Sequence, residues 1–213
     1  TTIIEKERTR DHTETLFKYY GYDINIEEKD GKNFISFEGQ KSLNPVNIKV
    51  PGDPSSAAYP LVAGLICNNS NIKIKNVLLN PTRDGLYKCL EEMGANIKYF
   101  NKKIEAGEIT YDLEVSSSTL NPIDIPANRA PSMIDDYPIL AVAASMANGT
   151  SIFRGLSELK VKESDRLLGI YNILSKNGID ANIEDDNLII RGNSKGPKAV
   201  SYTHLRAHET TTN

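Results

Sequence analysis

The sequence predicts an α/β protein whose helices pack together inside and whose sheets lie outside. Three observations carry that reading. A helix with fixed punctuation recurs along the chain, a second and more apolar helix recurs beside it, and short alternating runs fill the gaps. Thr9-Arg10-Asp11 returns as Thr82-Arg83-Asp84, 73 residues later. Each copy leads into a helical pattern that stops at a glycine, where a helix needs a left-handed end. Leu16, Phe17 and Tyr20 share a face before Gly21, and Leu86, Leu90 and Met93 do so before Gly94. A third version opens at Ser164-Asp165-Arg166 and runs through Leu167, Ile170, Tyr171 and Leu174 to Gly178.

The second helix runs from Ser55 to Ala63 and again from Ile134 to Ala141, with Tyr59-Pro60 matching Tyr137-Pro138. Polar cap residues and a proline in the first turn open each copy. Both are apolar most of the way round, which predicts burial. Alternating runs at Ile72 and Ile74, Leu113 and Val115, Ile123 and Ile125, Ser151 to Phe153, Ile179 to Ile183 and Leu188 to Ile190 read as strands. The order is strand, buried helix, strand, amphipathic helix, strand, strand: a βαβαββ unit. Two complete units span about 46–118 and 121–192. Residues 1–40 read as the second half of another, with a strand from Phe34 to Phe37. Units this long and irregular do not make a solenoid.

Composition narrows the function classes. The chain has 213 residues, 39% hydrophobic and 25% charged, which is ordinary globular usage. Its 25 basic and 28 acidic residues leave a formal net charge of −3, which points to neither nucleic acid nor an anionic membrane as partner. No apolar stretch approaches the roughly 18 residues of a membrane span. Cys67 and Cys89 can make neither a disulfide framework nor a four-ligand zinc site. The reading is a protein of a reducing compartment. The chain opens at Thr1-Thr2 without Met, as a fragment would.

Four places could carry chemistry. In Lys162-Glu163-Ser164-Asp165-Arg166, two cations four apart share a face if helical, with Glu163 beside Arg166. Cations at a helix start oppose the macrodipole unless an anion sits between them and the helix. The plainer alternative is a solvated first turn capped by Ser164 or Asp165. In Met133-Ile134-Asp135-Asp136-Tyr137-Pro138, one carboxylate can cap the helix and the other is surplus, as a general base would be. Two acids complementing the dipole are the simpler account. Arg10 could hold a phosphate with its fork, or serve with Arg83 as a structural helix-entry residue. Val50-Pro51-Gly52-Asp53-Pro54-Ser55-Ser56 reads as a stiff connector followed by an N-cap. His204 and His208 are four apart, but residues 198–213 have no periodicity to place them on one face, so zinc is rejected.

The strings themselves are specific. Val-Pro-Gly-Asp-Pro-Ser-Ser-Ala-Ala at 50–58, Asn-Pro-Thr-Arg at 80–83 and Arg-Ala-Pro-Ser-Met-Ile-Asp-Asp-Tyr-Pro at 129–138 stand in order with Leu-Lys-Val-Lys-Glu-Ser-Asp-Arg-Leu at 159–167 and Thr-Arg-Asp-His-Thr-Glu at 9–14. Together they resemble the 5-enolpyruvylshikimate-3-phosphate synthase family (3-phosphoshikimate 1-carboxyvinyltransferase), nearly continuously to about Gly196. The resemblance implies the inside-out α/β barrel of the enolpyruvyl transferases, incomplete in this chain. Residues 1–49 would close the first, substrate domain, 50–197 would form the second domain, and 198–213 would be a disordered tail outside the family pattern.

It also implies transfer of the enolpyruvyl group of phosphoenolpyruvate to the 5-hydroxyl of shikimate 3-phosphate, with release of phosphate. That is a step of aromatic amino acid biosynthesis in the cytoplasm, by a monomer without metal or organic cofactor. Matched position by position, Asp135 binds shikimate 3-phosphate and takes the 5-hydroxyl proton, and Glu163 serves the proton at the methylene carbon. Lys162 and Arg10 are ligands of the shikimate phosphate, and Arg166 is a ligand of phosphoenolpyruvate. Lys160 stands where the family usually has Arg. The family's upstream half and its downstream Asp-His-Arg segment have no match, so the chain by itself is expected to be inactive. Two rivals remain. A UDP-N-acetylglucosamine enolpyruvyl transferase would use a cysteine on a mobile loop, which neither Cys67 nor Cys89 suits. A non-catalytic scaffold would scatter Asp135, Lys162, Glu163 and Arg166.

Overall fold

The computed structural model describes residues 1–193. The tail expectation for 198–213, with His204 and His208, lies outside them. The half unit at the start comprises β1 (Thr2–Glu5), α1 (His12–Tyr19), β2 (Ile24–Lys29) and β3 (Lys32–Phe37). The next unit contains α2 (Pro54–Ile66), β4 (Asn71–Leu78), α3 (Gly85–Glu92), β5 (Asn96–Glu105) and β6 (Glu108–Ser116). The last contains β7 (Asp124–Ile125), a 3-10 turn (Ala127–Ser132), α4 (Tyr137–Met146), β8 (Gly149–Phe153), α5 (Ser157–Lys160), α6 (Arg166–Lys176), β9 (Asp180–Glu184) and β10 (Asn187–Gly192).

The repeat is stated again in the sheets. Their orders are β1-β3-β2, β4-β6-β5 and β7-β8-β10-β9. In each, the final strand of the unit lies between the two that came before it, antiparallel to both. β7 then joins β8 in parallel. Its counterpart in the preceding unit is a single parallel bridge, Gly52 to Val77, within the segment read from sequence as a connector. Proline flanks Gly52 on one side and Asp53-Pro54 follows on the other, so the segment cannot donate a regular ladder.

The helices do pack against each other beneath the sheets. Leu61 and Leu65 of α2, Leu86 and Leu90 of α3, Tyr137 and Leu140 of α4 and Leu167 of α6 are all fully buried. Each such side chain contributes about 1.5–3 kcal/mol by leaving water. The expected left-handed ends are present: Gly21 and Gly94 have φ of +78° and +87°. One detail of the pattern fails. Pro60 lies inside α2 and the first-turn proline there is Pro54, whereas Pro138 does sit in the first turn of α4. The Tyr-Pro steps match in sequence but not in their place along the helix.

α3 meets the 3-10 turn so closely that a Cβ on Gly85 would stand 2.2 Å from the Ser132 hydroxyl. Arg129 also ties this turn to α3, donating to Glu92 at 2.8 Å and to the Cys89 sulfur at 3.3 Å. The 3-10 turn that leads into the Asp135 segment is thereby held against α3. Among the described residues, no helix is long and apolar enough to cross a membrane.

Candidate active site

Three separate segments converge on Asp135. The strand-to-helix connection after β1 brings Arg10, the turn before α4 brings Asp135 itself, and the first residue of α6 is Arg166. Arg10 donates to one Asp135 oxygen. Arg166 donates to the other at 3.0 Å and, with its second nitrogen, to Glu163 at 2.6 Å. The four side chains thus form one chain of ion pairs, Arg10–Asp135–Arg166–Glu163. Lys162 does not join it; it donates to Glu158 at 2.7 Å, one turn back. A hollow of about 400 Å³ is lined by Lys6, Arg8, Thr82, Asn128, Pro131 and Ser132, and by none of the four side chains of the ion-pair chain. That volume suits a small polar molecule.

Two local expectations are corrected. Residues 161–164 form a turn and bend, and α6 begins only at Arg166, so Lys162 and Arg166 do not share a helix face. Arg166 reaches back to Glu163 instead. Of the two cap candidates, Asp165 is the cap, accepting from the Leu168 amide at 2.9 Å. At α4 neither acid caps. Asp136 occupies the N-cap position without a side-chain hydrogen bond to the helix, and Asp135 is turned wholly to its arginines.

The charges set the protonation states. Burial works against ionisation of Asp135, but the hydrogen bonds and charges of Arg10 and Arg166 outweigh it and hold its pKa below the usual aspartate value. Glu163 is held low by its own backbone amide and then by Arg166. Arg166 is raised in turn, first by Glu163 and also by Asp135. The neighbouring acid differs. Burial pushes Asp136 up, and the nearby charges of Asp135 and Asp53 add to it, against the opposing pull of Ser55 and Arg83.

Arg10 owes its place to contacts that sequence reasoning did not single out. Asn80 donates to Asp11 at 2.7 Å and to Glu108 at 3.0 Å, and the other Glu108 oxygen lies 2.6 Å from His12 Nδ1. These bonds bracket Arg10 on its C-terminal side and join the β1–α1 connection to the hairpin of β5 and β6. The signal was present in Asn80-Pro81-Thr82-Arg83, where the Asn80 carbonyl oxygen accepts from both the amide and hydroxyl of Thr82. An Asx turn at a buried position marks a fixed corner. Neither cysteine is near Asp135 by any bond: Cys67 ends α2 exposed, and Cys89 is buried in α3. Among the described residues, no three His, Cys, Asp or Glu side chains gather as a metal site would need.

Repeated βαβαββ units with helices packed inside and charged helix starts brought together define an enolpyruvyl transferase fold. The structure superposes on the enolpyruvyl transferase NikO from Streptomyces tendae with a TM-score of 0.65 at 18% identity, over 90% of this chain and 42% of that one. That likeness concerns the fold alone. On the EPSP synthase of Acinetobacter baumannii the TM-score is 0.82 at 38% identity, again over 90% of this chain and 42% of that one. The family model for EPSP synthase (3-phosphoshikimate 1-carboxyvinyltransferase) matches residues 1–209, and the chain belongs to that family. The matched span reaches into 198–209, which the sequence pattern had set apart. Proteins named 3-phosphoshikimate 1-carboxyvinyltransferase share 53% identity over 209 residues in Chelativorans sp. (strain BNC1) and 48% over 197 residues in Brucella melitensis biotype 2. They cover 96% and 92% of this chain, which spans 46% and 44% of their own lengths.

Proposed function

We propose that this chain supplies one wall of an enolpyruvyl-transfer site, with shikimate 3-phosphate as acceptor and phosphoenolpyruvate as donor. In this reading residues 1–49 close one domain and 50–197 form the second, in a cytoplasmic monomer when the family's full length is present. The observation that carries it is the placement of Asp135 between two arginines from different segments, with Glu163 on the far arm of one of them.

The physical argument concerns what an anionic ligand does to that circuit. Arg10, Arg166 and Lys162 are each engaged with an internal carboxylate, and each is also a natural partner for phosphate or carboxylate. A ligand anion that draws Arg10 and Arg166 away leaves Asp135 with the burial that opposes its charge. Its pKa then rises, and it becomes a better base for the 5-hydroxyl proton at the moment the hydroxyl is beside it. Arg10 and Lys162 would hold the shikimate phosphate and Arg166 the donor. Glu163, largely exposed and released from Arg166, would handle the proton at the methylene carbon. Such proton transfers are worth about 10²–10⁴-fold each in rate.

The test is calorimetric titration of the chain with shikimate 3-phosphate, with shikimate as the control that lacks the phosphate. Binding of the phosphate ester alone is expected, weakened about tenfold or more by Lys162→Ala, since charged hydrogen bonds contribute about 1.5–3 kcal/mol. No binding at millimolar ligand, or equal binding of shikimate, would refute the reading. Phosphate release from both substrates is expected to stay at background for this chain by itself.

A further inference from the structure

We propose that Asp136, together with Ser55 and Arg83, is a positioning unit that fixes the carboxylate of Asp135 between its arginines. The inference rests on the function proposed above and adds residues to it. Asp136 is 5% exposed, although it directly follows a site residue that is 38% exposed. Its main chain is pinned on both sides: its amide donates to the Met133 carbonyl at 2.9 Å, and its carbonyl accepts from the Leu140 amide at 3.0 Å. Its side chain is buried, and Ser55, Arg83 and Asp53 at the start of α2 and α3 are near enough to act on its charge. Ser55 is itself held by Arg83, which donates to its oxygen at 2.9 Å and to Asp53 at 2.8 Å.

The consequence is geometric. A residue that starts α4 with both main-chain groups bonded and its side chain buried leaves its predecessor little freedom of backbone rotation. Asp135 therefore presents its two oxygens in one direction, and two arginines from different segments can both reach them. A solvated N-cap acid in the place of Asp136 would let the turn rock. The Ser55 oxygen accepts from Arg83, which leaves its single proton free for a nearby acceptor such as Asp136. The groups facing Asp136 are Asp135, Asp53 and Arg83, with the Tyr87 hydroxyl close by, donating to the Pro54 carbonyl at 2.8 Å. Burial and the two neighbouring acids push the Asp136 pKa up, against the opposing pull of Ser55 and Arg83.

The decisive measurement is the titration of the Asp135 side-chain carboxyl by carbon-detected NMR, in the unaltered chain and in the variants Asp136→Ala, Asp136→Asn and Ser55→Ala. In the unaltered chain and in Asp136→Asn, which keeps shape and contact, the Asp135 midpoint is expected below the ordinary aspartate value. In Asp136→Ala and Ser55→Ala it is expected to move up toward that value. Affinity for shikimate 3-phosphate should fall about tenfold in the same two variants, the middle of the range for coupled neighbours, and recover in Asp136→Asn. A packing role alone predicts a lower unfolding midpoint with the Asp135 titration unmoved, and that result in Ser55→Ala overturns the proposal even if Asp136→Ala fails to fold. Should the unaltered chain fail to bind shikimate 3-phosphate, the enolpyruvyl-transfer reading falls while the titration still decides the positioning role.

Discussion

Two helix starts in this molecule are built from the same residue types and do different work. At α2, Asp53 accepts from the Ser56 amide and hydroxyl, both at 2.8 Å, and takes Arg83 on its other oxygen. Arg83 is only 16% exposed. The hydrogen bonds of Asp53 and Arg83 there stay inside their own repeat unit. At α4, Asp135 lies one residue upstream of the N-cap position and caps nothing. Both of its oxygens face arginines brought from elsewhere, and those arginines remain 30% and 43% exposed. A shift of one residue relative to the helix start separates an acid spent on holding the fold from one left open to a ligand.

The sharpest way to break this comparison is to remove each acid in turn. Asp53→Ala deletes a cap and takes the ion-pair partner from a largely buried arginine, and should lower stability by about 0.5–2 kcal/mol. Asp135→Ala should cost visibly less, because exposed ion pairs contribute about 0–1 kcal/mol. Urea unfolding of the two variants side by side gives the answer. Equal losses would mean that Asp135 is structural after all.

A smaller effect lies in the pH dependence. The folded pKa of Asp135 is depressed, so its contribution to stability is present above the ordinary value of 3.8 and is lost as pH falls from there through the folded pKa. The stability difference between the unaltered chain and Asp135→Asn should therefore be seen at neutral pH and shrink toward zero in acid. Unfolding midpoints measured across that range check the sign, and a difference that grows in acid contradicts it. The smallest expected effect is that of Arg10→Ala, within about 0.5 kcal/mol as for most surface changes. The same variant should raise the Asp135 titration midpoint, since one of its two stabilising partners is gone. An unmoved midpoint would leave Arg166 as the sole partner that matters.

Much of this was written in local pattern. Thr9-Arg10-Asp11 and Thr82-Arg83-Asp84 announced equivalent helix starts, and Gly21 and Gly94 announced their ends, because caps and left-handed terminators depend only on residues close in sequence. The burial of Leu86, Leu90 and Met93 followed from their spacing. The motif strings placed Asp135, Glu163 and Arg166 in one family pattern before any contact was visible. Register within helices was less legible: Pro60 matched Pro138 by its neighbours and yet sits well inside its helix. The assignment of Lys162 and Arg166 to one helix face failed for the same reason, since α6 starts later than charge spacing suggests.

The sequence by itself determined the units, their order and the residue types available at each helix start, because these follow from propensity, capping and periodicity along a few turns of chain. Only the tertiary structure decided which acid meets which arginine. Arg10 and Asp135 are 125 residues apart, and nothing local distinguishes Asp135, partly exposed, from Asp136, buried. That choice is made by the packing of helices from different units, where a rotation of one residue turns a side chain from water to core.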